Sequence, residues 1–149
     1  MKQAIALVVF LLVTVAVAVF GAQFEPGEWY RQLVKPTWTP PDAIFAPVWT
    51  VLYVMIALAG WAVWRAGDRG PALALWSVAL VLNGLWSWLF FGQHAIGLAL
   101  VDIVALWLTL IAFALVAWPR SRAASLLFVP YIVWVGYAAL LNAAIWTAN

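Results

Sequence analysis

Apolar residues run along the chain in five long stretches, separated by short gaps that hold most of the charges and several prolines. A helix rising ~1.5 Å per residue needs ~20 apolar residues to cross ~30 Å of hydrocarbon. The pattern predicts spans over residues 4–22, 43–64, 72–91, 95–118 and 123–147. The expected fold is an all-α membrane protein, a five-transmembrane-helix bundle forming a single domain over 1–149. Pro47 falls in the first turns of the second span, where a missing N–H costs least. Pro119 closes the fourth span, and Pro130 lies inside the fifth. Residues 65–71 form a tight charged turn. Residues 92–94 are so short a connection that spans three and four make an antiparallel hairpin. The first stretch follows Lys2, as a cleavable signal would, but it is longer than a usual signal core, which favours an uncleaved helix. No tandem or inverted repeat is visible.

The gap at residues 23–42 is unlike the others. It is long for a helix connection, and such loops often act as lids. It holds Glu25, Glu28, Arg31, Lys35 and Asp42, four prolines, and the large rings of Trp29, Tyr30 and Trp38. Rings of that size seek a surface to bury against. Residues 28–34 are expected to make a short helix ended by Pro36.

Composition narrows the class. With 68% apolar and 8% charged residues, there is too little polar side chain to cover a soluble domain. No cysteine is present, which excludes disulfides, thiolate metal sites and cysteine nucleophiles. No basic stripe for nucleic acid exists. Lys2, Arg65, Arg69, Arg120 and Arg122 fall on one side of the bundle, and Arg31 and Lys35 on the other. The positive-inside rule then places the N-terminus in the cytoplasm and the long loop outside.

Two strongly polar side chains lie deep in spans, Asn83 and Asp102. Facing lipid, a central Asp costs roughly 2.5–3.5 kcal/mol on insertion scales, so both must face protein or a wet cavity. For Asn83 a ligand contact and a helix-to-helix hydrogen bond are equally good readings. For Asp102 the structural reading is preferred, with the carboxylate held by backbone or indole donors. Asn83, Trp86 and Phe90 share a face of span three. Phe45, Trp49, Tyr53 and Ile56 share one on span two, and Tyr131, Trp134, Ala138 and Leu141 one on span five. If these stripes converge they line an apolar pocket with few polar groups, suited to a large flat ligand. Packing alone would also explain such stripes. Trp64, Trp118 and Trp146, at span ends, read as interfacial anchors. His94 is the only histidine and reads as a turn residue. No metal-ligand set, nucleophile–base pair or phosphate-binding loop can be assembled.

Several local motifs agree with one family. They are Lys35-Pro36-Thr37-Trp38-Thr39-Pro40-Pro41, Pro47-Val48-Trp49-Thr50-Val51-Leu52-Tyr53, Asn83-Gly84-Leu85-Trp86-Ser87 and Phe90-Phe91-Gly92. Ala99-Leu100-Val101-Asp102, Pro130-Tyr131-Ile132-Val133-Trp134 and Leu141-Asn142 follow in order. In these the chain resembles the TspO/MBR family of tryptophan-rich sensory proteins and translocator proteins. The resemblance implies a five-helix bundle, usually dimeric, that binds porphyrins such as protoporphyrin IX and other apolar molecules as ligands, with no resident cofactor. It implies a bacterial cell membrane as the location. Carried over position by position, the pocket would comprise Trp38, Phe45, Trp49, Tyr53, Asn83, Trp86, Phe90, Leu98, Trp134, Ala138 and Leu141. Small residues at Ala95 and Ala99 would permit close contact in a dimer. The sterol motif of mitochondrial members is missing, since Leu140 to Thr147 contains neither tyrosine nor a basic residue. Light-dependent porphyrin degradation by pocket tryptophans, and proton-coupled export using Asp102, are the alternative activities.

Overall fold

The computed structural model describes all 149 residues, and they form helices and turns only. The helices are α1 (Lys2–Ala22), α2 (Glu28–Gln32), α3 (Asp42–Arg65), α4 (Pro71–Ser87), α5 (Ile96–Ala117) and α6 (Arg122–Ala148). A π-helical turn, Trp88–Gly92, extends α4. With that turn counted into α4, all five long helices are long and apolar enough to cross a membrane. The boundaries fall within two residues of those expected from hydropathy. The short lid helix α2 stops at Gln32, two residues sooner, because Leu33 is already extended.

The helix ends follow local chemistry. Gly67 has φ +85° and closes α3, with its N–H on the Trp64 carbonyl and the Asp68 N–H on that of Val63. That paired pattern needs a left-handed residue, which glycine supplies without penalty. Asp68 Oδ1 then accepts from the N–H groups of Gly70 (2.9 Å) and Leu73 (3.4 Å), and Pro71 opens α4. The other Asp68 oxygen lies 3.7 Å from Arg120 Nη1. Ser121 caps α6 by accepting from the Ala124 N–H. At this end of the bundle Arg65, Arg69 and Arg122 stack over Trp61, Trp64 and Trp118. Those pairs suit the headgroup zone, where indoles and guanidinium groups gather.

The five long helices form a ring in the order α1–α3–α6–α5–α4 and back to α1. The half away from the lid is solid. There Val63, Trp76, Phe113, Ala117, Ala124 and Phe128 belong to one continuous apolar core. Gly60 lets the Trp76 indole and Phe10 press against the α3 backbone, since a Cβ there would meet them at 2.6 and 2.8 Å. Ser125 Oγ donates to the Ala114 carbonyl (2.7 Å) and ties α6 to α5. The half near the lid is hollow, and residues 24–41 fold over it.

The lid docks on the hairpin between α4 and α5. Tyr30 packs edge-on against Phe90 and Phe91, and Trp29 stacks on His94 with ring centroids 4.0 Å apart. His94 takes φ 54° to make that tight turn. Of the two small residues expected at a dimer contact, Ala95 is half-buried and Ala99 has no exposed surface to offer a partner. Ala99 is fully buried, in a small cluster with Tyr30, Phe90, Leu141 and Ile145.

Candidate functional site

The hollow half encloses a cavity of about 350 Å³. α3 contributes Phe45, Trp49 and Tyr53, α4 contributes Asn83 and Trp86, and α6 contributes Trp134 and Ala138. These seven of the expected residues do converge. The rings meet edge to face, with Phe45 against Trp134 at 5.7 Å and Trp49 against Tyr131 at 6.2 Å. Such tilted arrangements leave an irregular slot rather than a filled core.

Four expected residues lie elsewhere. Leu98 is 63% exposed on the outer face of α5. Phe90 is buried beneath the lid, and Phe91 takes its place in the wall. The π turn is the cause: its wider helical step shifts side chains after Ser87 relative to an α-helical count. Leu141 packs beside Phe90 in the same small cluster. Trp38 is 44% exposed in the lid, where its carbonyl accepts a hydrogen bond from Tyr137 Oη (2.5 Å).

The sequence reading missed one wall altogether. Ala18, Gly21 and Ala22 of α1, with Phe24 and Pro26 after it, line the cavity, and Glu25, Tyr30 and Asp42 sit at its mouth. The available signal was the set of small residues at Ala18, Gly21 and Ala22, at offsets of three and four. Small side chains on one helical face leave room instead of filling it. α5 adds Ile103 and Leu106 at the back.

Polar groups line this apolar space sparsely. Tyr53 Oη donates to Asn83 Oδ1 (2.7 Å), and Asn83 Nδ2 donates to Tyr131 Oη (2.6 Å). Asn83 therefore joins α3, α4 and α6 and faces the cavity as well. Trp86 Nε1 donates to Asn142 Oδ1, and Asn142 Nδ2 to the Ile96 carbonyl, both at 3.0 Å. Two groups are left over. Trp134 Nε1 is buried with no acceptor, and both Asp102 oxygens are buried with no donor. The backbone or indole donors expected for Asp102 are not there, because Asp102 sits in the second turn of α5, where helical N–H groups are already committed. At the mouth, burial first and the Asp42 carboxylate second push the Tyr30 phenol above its ordinary pKa of 10.0. No group of three or more His, Cys, Asp or Glu side chains that could hold a metal ion exists.

The sequence model of the TspO/MBR family matches residues 5–147. A tryptophan-rich protein TspO of Chlorobaculum tepidum is 41% identical, with 99% of this chain and 98% of that one covered. Protein CrtK of Rhodobacter capsulatus is 35% identical over 87% of this chain and 83% of its own. The translocator protein of Bos taurus is 36% identical over 87% and 81%.

Proposed function

The chain belongs to the TspO/MBR family, and from that premise we propose that it binds flat apolar molecules, porphyrins such as protoporphyrin IX foremost, in the cavity under the lid. It is an integral, multi-pass membrane protein. The observation that carries the proposal is a slot walled by Phe45, Trp49, Trp86 and Trp134, with the Trp134 indole N–H buried and unpaired beside it. Aromatic faces match a flat conjugated ring. The unpaired donor favours a ligand that brings an acceptor, since leaving such a group unmatched costs about 1–3 kcal/mol. A volume of 350 Å³ lies at the lower end of the range for small-molecule pockets, roughly 300–1,000 Å³. This reading therefore seats part of a macrocycle in the slot and leaves the rest projecting.

Titration of protoporphyrin IX against tryptophan fluorescence is expected to saturate. Trp49→Ala or Trp134→Ala should weaken binding by about tenfold, from lost stacking and lost apolar area. Saturation unchanged in both variants would remove this site. A homodimer in a bacterial cell membrane, with the lid outside, belongs to the same proposal. Crosslinking in lipid that yields only monomer would strike the dimer from it.

The unpaired Asp102 carboxylate favours a second reading, proton-coupled export. In proteoliposomes, pH-driven porphyrin flux that stops in Asp102→Asn would support it, and flux at the unaltered rate in that variant would end it.

A further inference from the structure

A groove of about 310 Å³ runs down the outside of the bundle between α1 and α3. Leu11, Thr14 and Val15 form one wall, and Thr50 and Val54 the other. Three residues, Ala18, Trp49 and Tyr53, line both this groove and the inner cavity. The two spaces are therefore separated by one layer of side chain, and on the α1 side that layer is a methyl group. We propose that the cavity takes its ligand sideways from the hydrocarbon of the bilayer, through a portal between α1 and α3, and that the groove is the subsite where an apolar, ring-bearing molecule first rests. This rests on the binding role proposed above and adds the route and the outer subsite.

Depth decides what can occupy the groove. Thr14 lies ~18 Å along α1 from its first residue, at a rise of ~1.5 Å per residue, within a hydrocarbon layer of ~30 Å. The groove thus opens at mid-membrane, where lipid is the only medium. Val15 and Val54, on its two lips, are 52% and 46% exposed.

The packing of α1 leaves this seam open. In the half away from the lid α1 holds to α3, with Trp61 Nε1 donating to the Gln3 carbonyl and Phe10 set into the Gly60 notch. Towards the lid it leans on α4 instead, where Phe20 approaches Gly84 and Gly21 approaches Ser87. From Leu11 to Ala18 the groove lies between α1 and α3. Thr14 is the only buried residue of α1, and its hydroxyl bonds back to the Phe10 and Leu11 carbonyls of its own helix. No side-chain hydrogen bond closes the seam. Of the two rings behind it, Tyr53 is fixed by Asn83, while Trp49 is held by ring contacts with Tyr53 and Tyr131.

The lid carries side-chain ties by contrast. Asn149 accepts from the Val34 N–H and donates to the Val34 carbonyl, both at 3.0 Å, and also donates to the Ile145 carbonyl. Tyr137 holds the Trp38 carbonyl. The lid is thus latched to α6 at two points, and Trp134 and Ala138 of the cavity wall lie on the same helix.

Because the chain has no cysteine, each route can be closed separately with a short thiol crosslinker. Val15→Cys with Val54→Cys spans the portal, and Val34→Cys with Asn149→Cys fixes the lid. Proteoliposomes are mixed with vesicles carrying protoporphyrin IX, and the rate of tryptophan quenching is followed before and after crosslinking. The portal crosslink is expected to slow association by at least about tenfold, while the lid crosslink changes it by no more than about twofold. Slowing by the lid crosslink alone, by both crosslinks equally, or by neither overturns the portal. Absence of saturable quenching in the uncrosslinked protein removes the binding role itself, and the portal with it.

Discussion

At the scale of single residues, Asn83 does most to hold the hollow half in shape, because its one amide bridges two phenols from other helices. Replacing it with leucine leaves Tyr53 and Tyr131 unpaired in a low-dielectric interior. Side-chain hydrogen bonds between membrane helices are worth about 0.6 kcal/mol each, up to about 1.7. Asn83→Leu should therefore cost about 1–3 kcal/mol, read as a lower unfolding temperature in detergent, with ligand affinity falling as the cavity loosens. Tyr30 offers a pH test outside the membrane. Its pKa is raised on folding, so the neutral phenol contributes its stabilisation in full below pH 10.0. That contribution is lost as pH rises through the higher folded value. Thermal unfolding scanned from neutral to strongly alkaline pH should show a fall in stability above pH 10.0 that is smaller in Tyr30→Phe. Much of the site at this scale was legible from spacing: Trp49, Tyr53, Asn83, Trp86 and Trp134 stand where helical periodicity puts them. Leu98 was not, since an aliphatic residue carries no mark distinguishing a cavity from lipid, both being apolar.

At the scale of helices, the long apolar runs fix element boundaries well, because the hydrocarbon thickness sets their length. Departures from a regular helix are less visible. Nothing in Trp88-Leu89-Phe90-Phe91-Gly92 signals a π turn, and an α-helical count therefore chose Phe90 over Phe91. Removing one residue from that turn, Leu89 for instance, should restore a regular helix in which Phe91 keeps its place in the wall and Phe90 turns away from the lid. The checks are a retained ligand affinity and weakened docking of Trp29, which packs edge-on against Phe90. Contacts distant in sequence were equally hidden, as the Val34–Asn149 latch shows, since it depends on where the last turn of α6 emerges. Close helix approach gives a sharper test. Gly60→Ala places a methyl group into Trp76 and Phe10 and should destabilise the protein by about 1–3 kcal/mol through overpacking, measurable by thermal unfolding.

At the scale of the whole molecule, a ring of five helices divides into a packed half and a hollow half, and on α1 the small side chains face the hollow one. Large residues interlock where α3 and α4 are joined by a tight turn, and small ones face the space where α1 approaches the lid. The tryptophans serve both halves. In three of them the indole N–H crosses to a neighbouring helix and ends on a main-chain carbonyl: Trp61 on Gln3, Trp76 on Ile56 and Trp107 on Ile132. A carbonyl belongs to whatever residue occupies the position. Unless its side chain is itself in the core, as that of Ile56 is, the receiving residue can thus change while the donating side cannot, and saturation mutagenesis scored for folded yield should return a lopsided tolerance. Gln3 and Ile132 should accept most helix-compatible substitutions, whereas Trp61 and Trp107 should accept few. The bundle stores part of its architecture in one member of each of these pairs, and drift can rewrite the other without loosening the helices.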